Sequence, residues 1–117
     1  MKIDPIYTSK ANSILLKEKG FDVECYNYYV KDRNDDEPCC NGLEFINSQF
    51  KEGNCTAPEH WVVIEWLKQV HGIWISLHTH GEDVWYINTP HTKPNLRFNT
   101  SYEATEAAIE YVLTNLI

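Results

Sequence analysis

The chain is 117 residues long, 43% apolar and 23% charged, proportions of a globular domain and not of a disordered or fibrous chain. Its 17 acidic and 10 basic side chains leave a formal charge of −7, which favours solubility and works against direct nucleic-acid binding. The length suits one core and is short for two of ordinary size, so a single domain covering residues 1–117 is expected.

Thr8 is placed to cap a first helix over residues 9–19, with Ala11, Ile14 and Leu15 as a narrow apolar face. Gly20 should end it, and Phe21 beyond the glycine suits a Schellman stop, in which that residue packs back onto the last turn. Residues 22–31 include Val23, Cys25, Tyr26, Tyr28, Tyr29 and Val30, a β-forming run that reads as a strand. Residues 32–42 combine turn formers with Asp32, Asp35, Asp36 and Glu37 and have no period, so a mobile acidic loop is expected there. Residues 43–46 offer a short second strand, and 47–54 a polar connection.

Thr56-Ala57-Pro58-Glu59 reads as the start of a helix running to about His71, with the Thr56 hydroxyl toward the Glu59 amide and proline in the first turn. Val63, Trp66, Leu67 and Val70 form its stripe, and Gly72 its stop. Residues 73–80 then alternate: Ile73, Ile75 and Leu77 point one way, Trp74, Ser76, His78 and His80 the other. Gly81-Glu82-Asp83 turns the chain into a returning strand at 84–87. Leu96-Arg97-Phe98 offers an edge strand after a segment broken by Pro90 and Pro94. Thr100-Ser101-Tyr102-Glu103 repeats the capping pattern and opens a last helix with Ala108, Ile109, Val112, Leu113 and Leu116 on one face. The expected order is α, β, (β), α, β, β, (β), α. Such a chain is an α+β fold, with about three helices packed on a small, mainly antiparallel sheet.

The first residues, Met1-Lys2-Ile3-Asp4-Pro5, lead into no apolar run of signal length, and no stretch approaches membrane-spanning length. A cytoplasmic protein with no membrane partner is therefore expected. The four cysteines, Cys25, Cys39, Cys40 and Cys55, admit three pairings, but the state expected in that compartment is reduced. Cys25 and Cys55 read as core residues. Cys39 and Cys40 read as exposed loop thiols with no basic neighbour to lower their pKa.

Gly20-Phe21-Asp22, the aromatic run of Tyr26, Tyr28 and Tyr29, Cys55-Thr56-Ala57-Pro58, Trp66-Leu67 with His71, and Tyr102-Glu103-Ala104 recur in a familiar order and spacing. Together they resemble a group of small uncharacterised proteins of Bacteroides-type gut bacteria and of their prophages and phages. The similarity covers nearly the whole chain and departs at Glu59-His60, where that group commonly has Thr-Gln, a change at a helix start. The resemblance implies a cytoplasmic bacterial or phage protein, and it carries over no substrate, cofactor or catalytic residue.

Among chemical constellations, His78-Thr79-His80 with Glu82 and Asp83 stands out. Two histidines two apart on a strand share a face and could hold zinc or a similar metal, with Asp83 or His91 as a further donor. An exposed strand end beside a turn is the simpler explanation, and no cofactor is expected. The acids at 32–37 lack the spacing of a calcium loop and read as a solvated run. No nucleophile elbow, Walker loop or dinucleotide glycine motif occurs, so no catalytic residue is assigned.

Trp74 and Trp85 fall on facing strands of the expected hairpin. A Trp74 on the side away from Ile73, Ile75 and Leu77 needs cover from a helix or from another protein, and aromatic residues are enriched at interface centres. The leading expectation is a non-enzymatic accessory or protein-interaction domain that meets its partner, another protein or a second copy, through an aromatic sheet face carrying Trp74 and Trp85 or through an acidic surface. The alternative is a metal-binding protein or metal-dependent enzyme built on His78 and His80.

Overall fold

The structure, a computed structural model, describes residues 2–50, 53–89 and 96–117. The chain divides into two compact units, Met1–Glu59 and His60–Ile117, and a separate sheet belongs to each. The α+β class and the order of elements follow the sequence pattern, with the strands divided between a three-stranded and a two-stranded antiparallel sheet. Among the described residues no helix is long and apolar enough to cross a membrane.

In the first unit, α1 (Lys10–Glu18) precedes β1 (Cys25–Tyr29), β2 (Cys39–Phe45), a 3-10 turn at Asn47–Gln49 and β3 (Cys55–Thr56), with sheet order β2-β1-β3. Ser9, not Thr8, caps α1 by accepting from the Asn12 amide. The Thr8 backbone is held elsewhere: its amide donates to the Pro58 carbonyl, and its carbonyl accepts the Tyr29 hydroxyl at 2.5 Å. The inner face of α1 is Asn12, Ser13 and Leu16, whereas Ala11 and Ile14, expected inside, are exposed. Burial of Ser13 is tolerated because its hydroxyl donates to the Thr8 carbonyl. The helix ends in the expected Schellman stop. The Phe21 amide reaches the Leu16 carbonyl and the Gly20 amide that of Lys17, Gly20 has φ of 87°, and Phe21 is buried.

Residues 39–42, expected in the acidic loop, belong to β2. Cys25 faces Phe45 while Asn27 faces Cys40, so a two-residue step along β1 spans five residues of β2. The excess forms a bulge at Gly42 (φ 83°), where the Leu43 amide donates to the Asn41 side chain. The Asn-Gly pair thus marks an irregularity inside a strand and not the end of a loop.

Thr56-Ala57-Pro58-Glu59 is likewise not a helix start. Thr56 lies in β3 opposite Tyr28, and the Ala57 amide donates to the Asn27 carbonyl at 2.8 Å. Pro58 disfavours helical geometry in the residue before it, and the extended backbone continues to Glu59, which bridges to Tyr7. Buried Asn47 closes the unit: its amide nitrogen donates to the Phe21 carbonyl at 2.7 Å, and its oxygen accepts the Thr56 amide at 2.9 Å.

The second unit contains α2 (His60–His71), β4 (Trp74–His80), β5 (Asp83–Thr89) and α3 (Ser101–Asn115). The buried stripe of α2 is His60, Val63, Trp66 and Leu67. Val70, expected on it, is exposed although it keeps the spacing of the stripe; it stands in the last turn of the helix. Gly72 (φ 67°) ends the helix, with its amide on the Lys68 carbonyl. β4 and β5 pair in unbroken register from Trp74 with Thr89 to His80 with Asp83, across the two-residue loop Gly81-Glu82. The edge strand expected at Leu96-Arg97-Phe98 is reduced to a bridge between Phe98 and Val84. Pro90, His91 and Pro94 lie outside the described residues.

Thr100 caps α3 by accepting the Glu103 amide at 3.1 Å. Ala104, Ala108, Ile109, Val112 and Leu113 on α3 are buried, as are Ile73, Ile75, Val84 and Tyr86. α3 packs on β5 and β4, and α2 on β4, so both helices cover one face of the hairpin.

Candidate functional site

Alternation along β4 and β5 gives the hairpin two unlike faces. Ile75, Val84, Tyr86 and Asn88 lie buried on one. The other carries Trp74, Ser76, His78 and His80 on β4 and Asp83, Trp85, Ile87 and Thr89 on β5, none of them buried. Trp74 is 54% exposed. Trp85 stands opposite His78 and Ile87 opposite Ser76, so Ile87 lies between two indoles set about 13 Å apart along the ribbon. That separation is too long for the rings to stack on each other, and each is left to interact with something else.

A cation sits on each indole. Lys68 Nζ lies 4.6 Å from the Trp74 ring centroid, and the Arg97 guanidinium carbon lies 4.2 Å from that of Trp85. Such contacts stabilise by about 0.5–1 kcal/mol at exposed sites, enough to limit the side-chain freedom that binding would otherwise have to remove. Lys68 also pairs with Glu65 at 3.1 Å. His78 stacks on Trp85 with centroids 5.9 Å apart and planes at 18°. The face therefore gathers planar apolar groups and positive charge in a chain of net charge −7.

His78 and His80 share this face, and Asp83 stands opposite His80. The His78 ring has other neighbours, with Nε2 3.3 Å from Ser76 Oγ and the ring on Trp85. Among the described residues no three His, Cys, Asp or Glu side chains gather into a group that could hold a metal ion. Two imidazoles fall short of the three or four protein ligands of zinc sites. The further donor considered at His91 lies outside the described residues.

The cysteines divide as their sequence contexts imply: Cys25 and Cys55 are buried, Cys39 is half-buried, Cys40 is exposed, and all four are free. Burial pushes the Cys25 and Cys55 thiols up to about 11. The expectation that no basic group stands beside the outer pair is corrected, since Arg33 Nη1 lies 2.9 Å from Cys39 Sγ. The loop folds back to bring them together. Arg33 also pairs with Asp35 at 2.9 Å, and hydrogen bonding to it holds the Asp35 carboxyl below the usual range.

Sequence reasoning missed one further pair. His60 Nε2 lies 2.5 Å from Glu106 Oε2, with the two side chains 10% and 14% exposed, and the Tyr102 ring stacks on the imidazole at a centroid distance of 5.3 Å. A buried imidazole–carboxylate pair is capable of acid–base chemistry. Here it joins α2 to α3 beneath an aromatic cover. No spacing rule links residues so far apart, and the only local signal is that His60 stands one turn before Val63 on the buried stripe. The chain matches no protein-family model, no curated protein and no solved structure.

Proposed function

We propose that the protein is a small, non-enzymatic interaction module of a bacterial or phage cytoplasm, and that it binds another protein on the open face of the β4–β5 hairpin. The observation that carries this reading is the exposure of Trp74 on the same face as Trp85, with a cation held against each ring. Aromatic side chains and arginine are enriched where protein interfaces concentrate their binding energy. The two indoles and Ile87 would supply the apolar centre. Lys68 and Arg97 would meet carboxylates at its rim, so the fitting partner is a protein surface with an apolar patch bordered by acids.

The test is native mass spectrometry of the tagged protein, gently purified from a bacterial host, followed by affinity measurements on whatever protein co-purifies. Trp74→Ala should weaken that association by about 30-fold, the effect of losing one interface hot spot, without changing the circular dichroism spectrum. An association that survives both Trp74→Ala and Trp85→Ala unchanged would rule the face out.

A further inference from the structure

The hairpin has an edge as well as a face. β4 is paired along its whole length with β5 on one side, and among the described residues no strand pairs with its other side. Which backbone groups point outward follows from the far side of the ribbon. Val84 exchanges both backbone hydrogen bonds with Phe98, at 2.9 and 2.8 Å, so its N–H and C=O are directed away from β4. Its partner Thr79 is then in a non-hydrogen-bonded pair and directs its own N–H and C=O to the outer edge. By alternation Leu77 and Ile75 do the same.

This edge lacks the usual safeguards against pairing with another chain. It has no proline, no lysine and no bulge, its register is unbroken, and no Lys, Arg, Asp or Glu occurs within it. Every residue from 76 to 80 is exposed, Leu77 at 37%.

We propose that β4 pairs antiparallel with β4 of a second copy about a twofold axis at Leu77, making a continuous four-stranded sheet β5-β4-β4-β5. Leu77 then bonds Leu77 of the other copy through both backbone groups, Ile75 bonds Thr79, and Thr79 bonds Ile75, which satisfies all three outward-facing residues at once. On the open face Trp74 comes opposite His80 of the other copy, an aromatic cross-strand pair. On the covered face the two half-exposed Leu77 side chains meet.

Charge selects the antiparallel sense. Parallel pairing would set the acidic tips, Glu82 and Asp83, side by side. Antiparallel pairing separates the tips and brings each toward the Trp74 end of the other copy, where Lys68 lies over the indole. The proposal goes beyond the face-binding reading and does not rest on it, since it engages the backbone edge and leaves Trp85 free.

The experiment is native mass spectrometry and analytical ultracentrifugation of the full chain, from micromolar to near-millimolar concentration, with three variants. The wild type should pass from the 13.7 kDa monomer to a species of twice that mass. Leu77→Pro removes the outward N–H at the axis and spares the bonds to β5, and Leu77→Lys sets two like charges at the axis. Each should remain monomeric with an unchanged circular dichroism spectrum, and if Leu77→Pro fails to fold, Leu77→Lys decides alone. Trp85→Ala should still dimerise. A wild type that stays monomeric throughout, or a dimer that survives Leu77→Lys, would overturn the proposal. Dissociation by Trp85→Ala but not by Leu77→Lys would also overturn it, and would assign self-association to the face.

Discussion

Asn47 serves two buried backbone groups at once, the Phe21 carbonyl after α1 and the Thr56 amide in β3. Asn47→Ala removes both partners, and each buried group left unpaired costs about 1–3 kcal/mol. Urea unfolding should show a loss of about 2–4 kcal/mol, whereas a loss below about 1 kcal/mol would mean that water replaces the side chain. The buried thiols make a second residue-level prediction. Cys25 and Cys55 hold their protons up to about 11 in the folded chain, against about 8.5 for an unperturbed thiol. Below that ordinary value both states keep the proton and the thiols give stability no slope. Above it the unfolded state binds fewer protons, so stability falls as pH rises toward 11, by up to about 1.4 kcal/mol per pH unit for each thiol. Urea midpoints at about pH 7 and about pH 10 measure the fall, and Cys55→Ala should make it shallower. An equal fall in that variant would place the cause in other groups, such as the tyrosines.

At the scale of elements, two Thr-x-x-Glu sequences take opposite structures. Thr100 caps α3 through the Glu103 amide. Thr56 lies in a strand, and α2 begins only at His60. The difference is Pro58, which makes Ala57 extended, together with β1, which offers that extended backbone a partner. Thr→Val keeps the side-chain shape and removes the hydroxyl. Thr100→Val should therefore cost about 1 kcal/mol, the worth of a cap, while Thr56→Val, a β-branched residue in a buried strand, should change stability by less than about 0.5 kcal/mol. Equal losses at the two sites would restore a capping role to Thr56. The same contrast explains what was legible beforehand. Stops at Gly20 and Gly72, the α3 cap and the placing of Trp74 and Trp85 on facing strands of one hairpin are local patterns, complete within a few residues. The polar inner face of α1, the bulge in β2, the Arg33–Cys39 contact and the His60–Glu106 pair each depend on a partner supplied by another part of the fold, and no local period encodes that.

For the whole molecule, the two units are built from different materials. The second buries Val63, Leu67, Ile109, Val112 and Leu113 completely, and each such side chain stabilises by about 1.5–3 kcal/mol. The first has Leu16 and Phe21 at its centre, with Tyr29, two cysteines and the polar Thr8, Asn12, Ser13, Asn47 and Thr56. Its closure relies on hydrogen bonds whose net worth is about 0.5–1.5 kcal/mol each. Units of this size bury a smaller share of their surface than larger domains do and are individually marginal, so the difference in core should show as a difference in opening. Hydrogen exchange in rising urea should release the amides of β1 and β3 before those of β5 and α3. Release of all four elements at one urea concentration would instead mean that the chain opens as one cooperative body, in line with the single domain expected from its length. Under the first outcome the hairpin belongs to the part that stays folded longest. Its open face and outer edge would then stay ordered even while the first unit fluctuates, as a rigid recognition surface requires.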